Sequence, residues 1–228
     1  QPENIYLLDG QLTGGDIDLH CRRYDEAIQH TGGFDLVLLG IGRNGHIGYN
    51  EPFSVRKSRT RLCTLDPITR QSAASDFFGE DNVPTQALTV GLGTILAARR
   101  VLLLALGEHK ASIMRETLEG TITDRVPATF LQDHGDVRVL LDVAAAGKLT
   151  GVDTPWLLGN LDWDDSLIKR AVLWLCQQTG KALLKLDDDD FRRHDLHQLL
   201  RHHGPAQRIA HRVFRWMMDT IEYHPAGR

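Results

Sequence analysis

The sequence predicts an α/β fold built on a parallel sheet, followed by a small helical C-terminal extension. Continuous apolar runs alternate with helical patterns up to about residue 149, as expected for parallel strands covered on both faces. Beyond that point the composition changes and the patterns are helical. We therefore expect two parts, residues 1–149 and 150–228, in a chain of 228 residues that is 42% hydrophobic.

Residues 1–149 are expected to contain four strands and two clear helices. Apolar residues at helical spacing predict a first helix with Asp16 as its N-cap and Gly32 at its end. A second helix is expected over residues 108–118. The expected strands, which are short apolar runs, cover residues 34–41, 61–65, 101–106 and 137–141.

The extension is expected to begin with a linker at residues 153–163. Asp162 then caps a helix that ends near Gly180, a second short helix follows the acidic run at residues 187–190, and a third begins at Pro205. We interpret the acidic run as a solvated helix start. No metal site is expected among the nearby histidines, because no Cys or patterned acidic residue accompanies them. These are His194, His197, His202 and His203.

Composition and charge favour a soluble cytoplasmic protein. The formal net charge of −4 gives no reason to expect nucleic-acid binding. No apolar run approaches the length of a membrane-spanning helix and no signal peptide is visible, so no membrane partner is expected. The cysteines, Cys21, Cys63 and Cys176, show no paired spacing, which argues against a disulfide framework or a cysteine-based metal site.

The segment DLVLLGIGRNGHIGYNEP, residues 35–52, carries the strongest functional signal. An apolar run is followed at once by four glycines, and then by His46 and Glu51. This order places a bare backbone and an acid/base pair at the carboxyl end of a strand, which is where ligands bind in open α/β sheets.

This segment also permits two other interpretations. Gly40-x-Gly42-x-x-Gly45 matches a dinucleotide fingerprint, with Asp66 in the region of the ribose-binding acid, but that motif needs a helix opening at its third glycine. Gly48 and Pro52 oppose such a helix, so a loop is expected instead. The remaining alternative is a tight turn whose histidine is merely packed.

The run GIGRNGHIGYNEP resembles the signature of the glucosamine-6-phosphate deaminase (glucosamine/galactosamine-6-phosphate isomerase) family. Further blocks follow in family order across residues 1–145, among them Ser58–Arg61, Phe77–Phe78 and Ala87–Thr94. The resemblance implies a Rossmann-like sheet of the deaminase, ribose-isomerase and CoA-transferase type. It also implies that residues 1–149 are the C-terminal portion of such a domain.

The resemblance further implies deamination and isomerisation of an amino sugar phosphate, without a metal or organic cofactor. His46 would move the proton during ring opening, with Glu51 orienting the imidazole and Asn44, the third member, holding the ring by a hydrogen bond. Lys110 would bind the phosphate. Backbone amides would approach the sugar at Gly40, Ile41, Gly42 and Gly45.

Two departures from the family pattern bear on this function. The family usually has Asp where this chain has Asn44, and the family's phosphate-binding arginine near Phe77 has no counterpart. A non-catalytic sugar-phosphate-binding module is therefore one alternative, and Asn44→Asp is expected to raise activity if the chain descends from a weakened enzyme. The other alternative is a 6-phosphogluconolactonase, whose G-H-T-A-S-L-F run is replaced here by residues 46–51.

Family members begin with a phosphate loop and an aspartate base that this sequence lacks, so we expect an internal piece of a longer protein or a truncated gene model. The resemblance also implies self-association. The extension resembles the connector in bacterial proteins fused to a zinc-dependent N-acetylglucosaminyl deacetylase, although residues 223–226 are not that enzyme's motif. Without the first strands, we expect the isolated fragment to be inactive, to expose apolar surface around Leu36–Leu39 and to be poorly soluble.

Overall fold

The structure, a computed structural model, describes residues 4–219. Two compact units are present, Gln1–Leu149 and Thr150–Arg228, and each is described separately. The tetrapeptide at residues 223–226 lies outside the described residues.

A three-stranded parallel sheet lies at the centre of the N-terminal unit and confirms the predicted α/β class. Its strands lie in the order β1 (Val37–Gly40), β4 (Val101–Ala105) and β5 (Val137–Leu141). Val37 is paired to Val101, and Val101 is paired to Val137. In chain order the elements are α1 (Asp16–His30), β1 (Val37–Gly40), β2 (Arg61–Thr64), α2 (Pro67–Ala73), β3 (Gln86–Thr89), α3 (Leu92–Leu96), β4 (Val101–Ala105), α4 (Ala111–Glu119) and β5 (Val137–Leu141).

The expected short strand at residues 61–65 is β2, but it does not join the parallel sheet. It pairs with β3 in a separate antiparallel ribbon, in which Arg61 lies opposite Thr89. The strand β3 was not predicted from its periodicity, since four residues are too few to show a clear alternation. This ribbon matters for function because its ends contact the loop that follows β1.

Burial of β1 differs from the sequence-based expectation of a strand covered on both faces. Leu39 is 7% exposed, whereas Leu36 and Leu38 are 54% and 61% exposed. Among the described residues, the core packs only against the face of β1 that carries Leu39. The apolar exposure expected around Leu36–Leu39 is therefore present on the other face.

Helix boundaries in this unit also correct two predictions. The N-cap of α1 is Gly15 rather than Asp16, and no side chain caps this helix. Asp16 lies in the first turn, where a negative charge interacts favourably with the helix dipole. The helix expected at residues 108–118 is a 3₁₀ turn, Glu108–Lys110, followed by α4.

The C-terminal unit is helical, as predicted, and has its own core around Trp156, Ile168 and Phe191. Asp164, not Asp162, caps the first long helix through a hydrogen bond from the Leu167 amide. The expected linker contains a 3₁₀ turn that buries Trp156. The helices are α5 (Thr150–Asp153), α6 (Asp165–Thr179), α7 (Asp188–Arg193), α8 (His197–His203) and α9 (Ala206–Asp219).

The acidic run at residues 187–190 is not simply a solvated helix start. Asp187 caps α7 in a reciprocal capping box with Asp190. Asp190 is buried, and the Lys181 ammonium lies 2.7 Å from its Oδ2. Although burial opposes ionisation, the hydrogen bond from Lys181 holds the pKa of Asp190 below its ordinary value. The run therefore contributes a buried charged anchor to this unit.

Residues 4–219 show neither a metal-binding cluster nor a membrane-spanning helix. No group of three or more His, Cys, Asp or Glu side chains is placed to hold a metal ion. None of the helices within this range combines the length and apolar character needed to cross a membrane.

The two sides of β1 should respond oppositely to a charge. We expect Leu38→Lys to leave the free energy of unfolding almost unchanged and to reduce self-association, because this side chain already faces solvent. The matched variant Leu39→Lys should lose roughly 3–5 kcal/mol, because it buries an unpaired charge. Urea unfolding and light scattering measure both effects. Equal destabilisation by the two variants would contradict the one-sided burial.

Candidate functional site

The glycine-rich segment after β1 is a loop, as predicted. Residues 41–60 contain turns and bends but no helix. A dinucleotide fingerprint requires a helix opening at Gly45, so that alternative is excluded. Asp66 caps α2 by accepting a hydrogen bond from the Ile68 amide, which assigns this acid a local structural role.

Two backbone amides that were expected to face a sugar donate hydrogen bonds within the loop itself. The Gly42 amide donates to the His46 carbonyl at 2.9 Å, and the Gly45 amide donates to the Gly42 carbonyl at 3.0 Å. Gly45 adopts φ +81°, which favours glycine. These bonds close a tight turn that presents His46, and they leave neither amide free to bind a substrate.

Gly45 is packed tightly against the core. A Cβ at this position would lie 2.5 Å from Cγ1 of Val126 and 3.1 Å from Cδ1 of Ile113. The Gly45 carbonyl also accepts a hydrogen bond of 2.9 Å from the Ala128 amide. The turn therefore packs closely against the core, and this packing helps to fix the position of His46.

Gly42 leaves room for the imidazole of His46. A Cβ on Gly42 would lie 2.3–2.6 Å from Cε1, Nδ1 and Nε2 of that ring, far inside van der Waals contact. A Cβ on Gly40 would meet nothing within 4 Å. Of the glycines expected at the site, Gly42 is thus the one whose missing side chain shapes the position of the histidine.

The structure brings His46, Glu51 and Asn44 together. Nδ1 of His46 lies 3.3 Å from Oε2 of Glu51, and Asn44 donates through Nδ2 to the same oxygen at 2.8 Å. The other end of the Asn44 side chain accepts a hydrogen bond of 3.2 Å from the backbone amide of His46. Asn44 was expected to hold the imidazole ring. It instead holds the carboxylate and the main chain.

Thr69 is a member of this cluster that sequence reasoning missed. Its Oγ1 lies 3.0 Å from Nδ1 of His46 and 3.5 Å from Nδ2 of Asn44. Thr69 is 8% exposed and sits in the first turns of α2, which is started by the Asp66 cap and by Pro67. A threonine 23 positions after the histidine carries no local motif, so only the fold reveals the contact.

Glu51 is a buried carboxylate that stays ionised. Burial raises its pKa, but hydrogen bonds from His46, Thr69 and Asn44 outweigh this effect and lower the pKa below its ordinary value. The charged form is therefore retained at neutral pH, and its contacts are lost only as the pH falls through the lowered value.

The second half of the loop is fixed by Asn50, which is fully buried. Its Nδ2 donates to the carbonyls of Val90, at 2.8 Å, and Ile47, at 3.0 Å, and its Oδ1 accepts from Arg61 at 2.8 Å. Arg61 also donates to Ser54 at 2.9 Å. These bonds tie the loop to the β2–β3 ribbon. Sequence analysis had not assigned Asn50 a role.

Lys110 reaches the same loop from the far side of β4. Its Nζ donates to the carbonyl of Ile41 at 2.6 Å, which places a cation beside the residue that follows Gly40. Burial and the neighbouring Arg43 charge lower the pKa of Lys110. Two cations next to each other are stabilised by an anion, so this corner suits an acidic group of a ligand.

A histidine–carboxylate pair and a half-buried lysine that meet beside the ends of adjacent parallel strands are the arrangement expected of a domain that binds small anionic molecules. The chain belongs to the family of glucosamine-6-phosphate isomerases/6-phosphogluconolactonase, whose sequence profile matches residues 1–140. The family membership implied by the loop signature is therefore confirmed.

Several relatives carry the deaminase name. A glucosamine-6-phosphate deaminase-like protein of Bacteroides thetaiotaomicron is 41% identical over 226 residues, covering 99% of this chain and 34% of the relative. Glucosamine-6-phosphate deaminase 1 of Bacillus subtilis is 50% identical over 146 residues, covering 64% of this chain and 60% of the relative. This chain thus spans about a third of the first relative and three-fifths of the second.

A solved structure shows the same fold. It is that of a monomeric glucosamine-6-phosphate deaminase, described as a missing link of the NagB superfamily, and it is 45% identical with a TM-score of 0.62. The match covers 65% of this chain and 61% of that one. The Rossmann-like type of sheet is therefore confirmed for the N-terminal unit.

The packing of His46 on Gly42 generates a prediction. We expect Gly42→Ala to displace the imidazole, because the added methyl would lie only 2.3–2.6 Å from three atoms of the ring. The ring resonances of His46 in NMR spectra report the displacement, and a thermal melt reports stability. Gly40→Ala is the matched control, since its methyl meets open space. Unchanged His46 resonances in Gly42→Ala would contradict the contact.

Proposed function

We propose that the chain carries out deamination and isomerisation of an amino sugar phosphate, converting glucosamine 6-phosphate to fructose 6-phosphate and ammonia. One observation carries this proposal: His46, Glu51 and Lys110 converge on a single loop in a chain 50% identical to a named deaminase over 146 residues. This chain spans only 34% and 60% of the two relatives named above, so its activity is proposed here and is not inferred from their names alone.

The chemistry assigned to His46 is proton transfer during ring opening. The imidazole can take a proton from the anomeric hydroxyl and return it to the ring oxygen at near-neutral pH. Glu51 lies beside Nδ1 and remains ionised, so it stabilises the imidazolium that forms. His46 and Glu51 thus act as a coupled acid/base pair.

Lys110 is the proposed phosphate ligand. The dianionic phosphate would offset the repulsion between Lys110 and Arg43 and would restore the charge that burial of Lys110 disfavours. Position supports this role as well, because Lys110 is the N-cap residue of α4 and its Nζ reaches the start of the site loop.

Further parts of the proposal rest on the family resemblance. The resemblance assigns proton abstraction at C2 to an aspartate in a preceding segment, and the working protein is proposed to contain that segment. A fused deacetylase-like domain, self-association and a cytoplasmic location are proposed on the same basis. The solved relative is described as monomeric, so sedimentation of the working protein is the direct test of self-association.

The proposal is tested by ammonia release from glucosamine 6-phosphate in the longer protein with its preceding segment. We expect His46→Ala to reduce the rate by roughly 10²–10⁴-fold, the usual contribution of a general acid/base. Ser72→Ala is the control, because this hydroxyl bonds only to the Ile68 carbonyl of its own helix. Hydrolysis of 6-phosphogluconolactone without ammonia release would support the lactonase alternative. Calorimetric binding without turnover would support the binding module.

Asn44 gives a second test, and its geometry reverses the expectation for a weakened enzyme. We expect Asn44→Asp to lower activity about 10–100-fold, because the amide that donates to Glu51 would be replaced by a second carboxylate. Like charges raise the pKa of one carboxylate, and its protonation at lower pH would restore a donor between the two groups, so the loss should grow as the pH rises. Rate–pH profiles of the two proteins measure this. A faster Asn44→Asp enzyme would restore the weakened-enzyme hypothesis.

A further inference from the structure

We propose that Thr69 is a positioning residue that fixes which nitrogen of His46 carries the proton, an inference that rests on the proposed function. The hydroxyl would accept a hydrogen bond from Nδ1–H of His46 and direct its own proton toward Glu51. The base-competent Nε2 would then be left with a free lone pair.

The environment of Nδ1 determines the direction of this hydrogen bond. Nδ1 faces two oxygens, Oγ1 of Thr69 at 3.0 Å and Oε2 of Glu51 at 3.3 Å. An ionised carboxylate can only accept, so a bare Nδ1 would place one lone pair against another. A proton on Nδ1 satisfies both neighbours, and Thr69, which lies closer, is its main acceptor.

The hydroxyl proton of Thr69 then has one charged acceptor nearby. Oε1 of Glu51 is buried and has no other hydrogen-bond partner among the described residues, and the nearby Thr69 lowers the pKa of this carboxylate. Asn44 cannot take this proton, because its Nδ2 also points at the Thr69 oxygen and is itself a donor. The resulting order is Nδ1–H of His46, then the Thr69 hydroxyl, then Glu51.

The backbone around Thr69 makes it suited to this task. Thr69 follows Asp66 and Pro67, which cap and start α2, and its side chain is buried with χ1 restricted by branching. A rigid hydroxyl can hold the imidazole in one orientation. Within residues 4–219, Nε2 of His46 has no hydrogen-bond partner, so the free nitrogen is available to a substrate.

The tautomer is measured directly by NMR of the chain labelled with ¹⁵N-histidine, with His46→Gln identifying the signal among eleven histidines. We expect Nδ1–H in the wild type and in Thr69→Ser, which keeps the hydroxyl. Thr69→Val, which keeps the shape, should give a mixture of the two tautomers. Thr69→Ala serves as a second hydroxyl-free variant if the valine variant does not fold.

Three results would overturn the proposal. These are an Nε2–H tautomer in the wild type, an unchanged tautomer in both hydroxyl-free variants, or the same disturbance in Thr69→Ser as in Thr69→Val. Kinetics add a second measurement: Thr69→Val should lower kcat roughly 10–100-fold with little change in KM, and Thr69→Ser should restore it. If the wild type releases no ammonia, the proposed function fails, but the tautomer result still decides the role of Thr69.

Discussion

The buried carboxylate of Glu51 is the constraint on which the arrangement of the site depends. Glu51 is 9% exposed, and a carboxylate removed from water must be compensated by donors. Asn44 and His46 contact its Oε2 at 2.8 and 3.3 Å, and Thr69 also lowers its pKa, while its Oε1 has no hydrogen-bond partner among the described residues. Each of these side chains is consequently positioned by the same charge, and the histidine is held in place by groups that primarily satisfy Glu51.

That compensation is available only because the loop has a defined shape. The bonds between Gly42, Gly45 and His46 turn the chain so that the imidazole lies on the bare backbone of Gly42. Asn50 then anchors the other end of the loop to Val90 and Arg61. Gly42 and Asn50 thus contribute in different ways. Gly42 leaves a crowded position without a side chain, whereas the side chain of Asn50 forms hydrogen bonds with backbone groups of the loop and of Val90.

The parts that the sequence predicted well are those with local signals. Apolar runs located β1, β4 and β5, and the glycine–histidine–glutamate pattern located the loop and the family. Predictions failed where a contact joins distant positions. Thr69 lies 23 residues from His46, and the amide of Asn44 bonds to Glu51 rather than to the ring. Burial on one side of β1 also depends on which elements cover the sheet, which periodicity does not encode.

The contacts that hold the loop in place lie away from the exposed face of β1. The loop is anchored to Val90 directly after β3, to Ile113 on α4 and to Ala128 in the 3₁₀ segment Pro127–Asp133. None of these anchors involves the exposed side chains of Leu36 and Leu38. Covering that face would therefore add stability to the sheet without being needed to set the geometry of His46. The orientation of the histidine therefore follows from the contacts of its own loop with β3, α4 and the 3₁₀ segment.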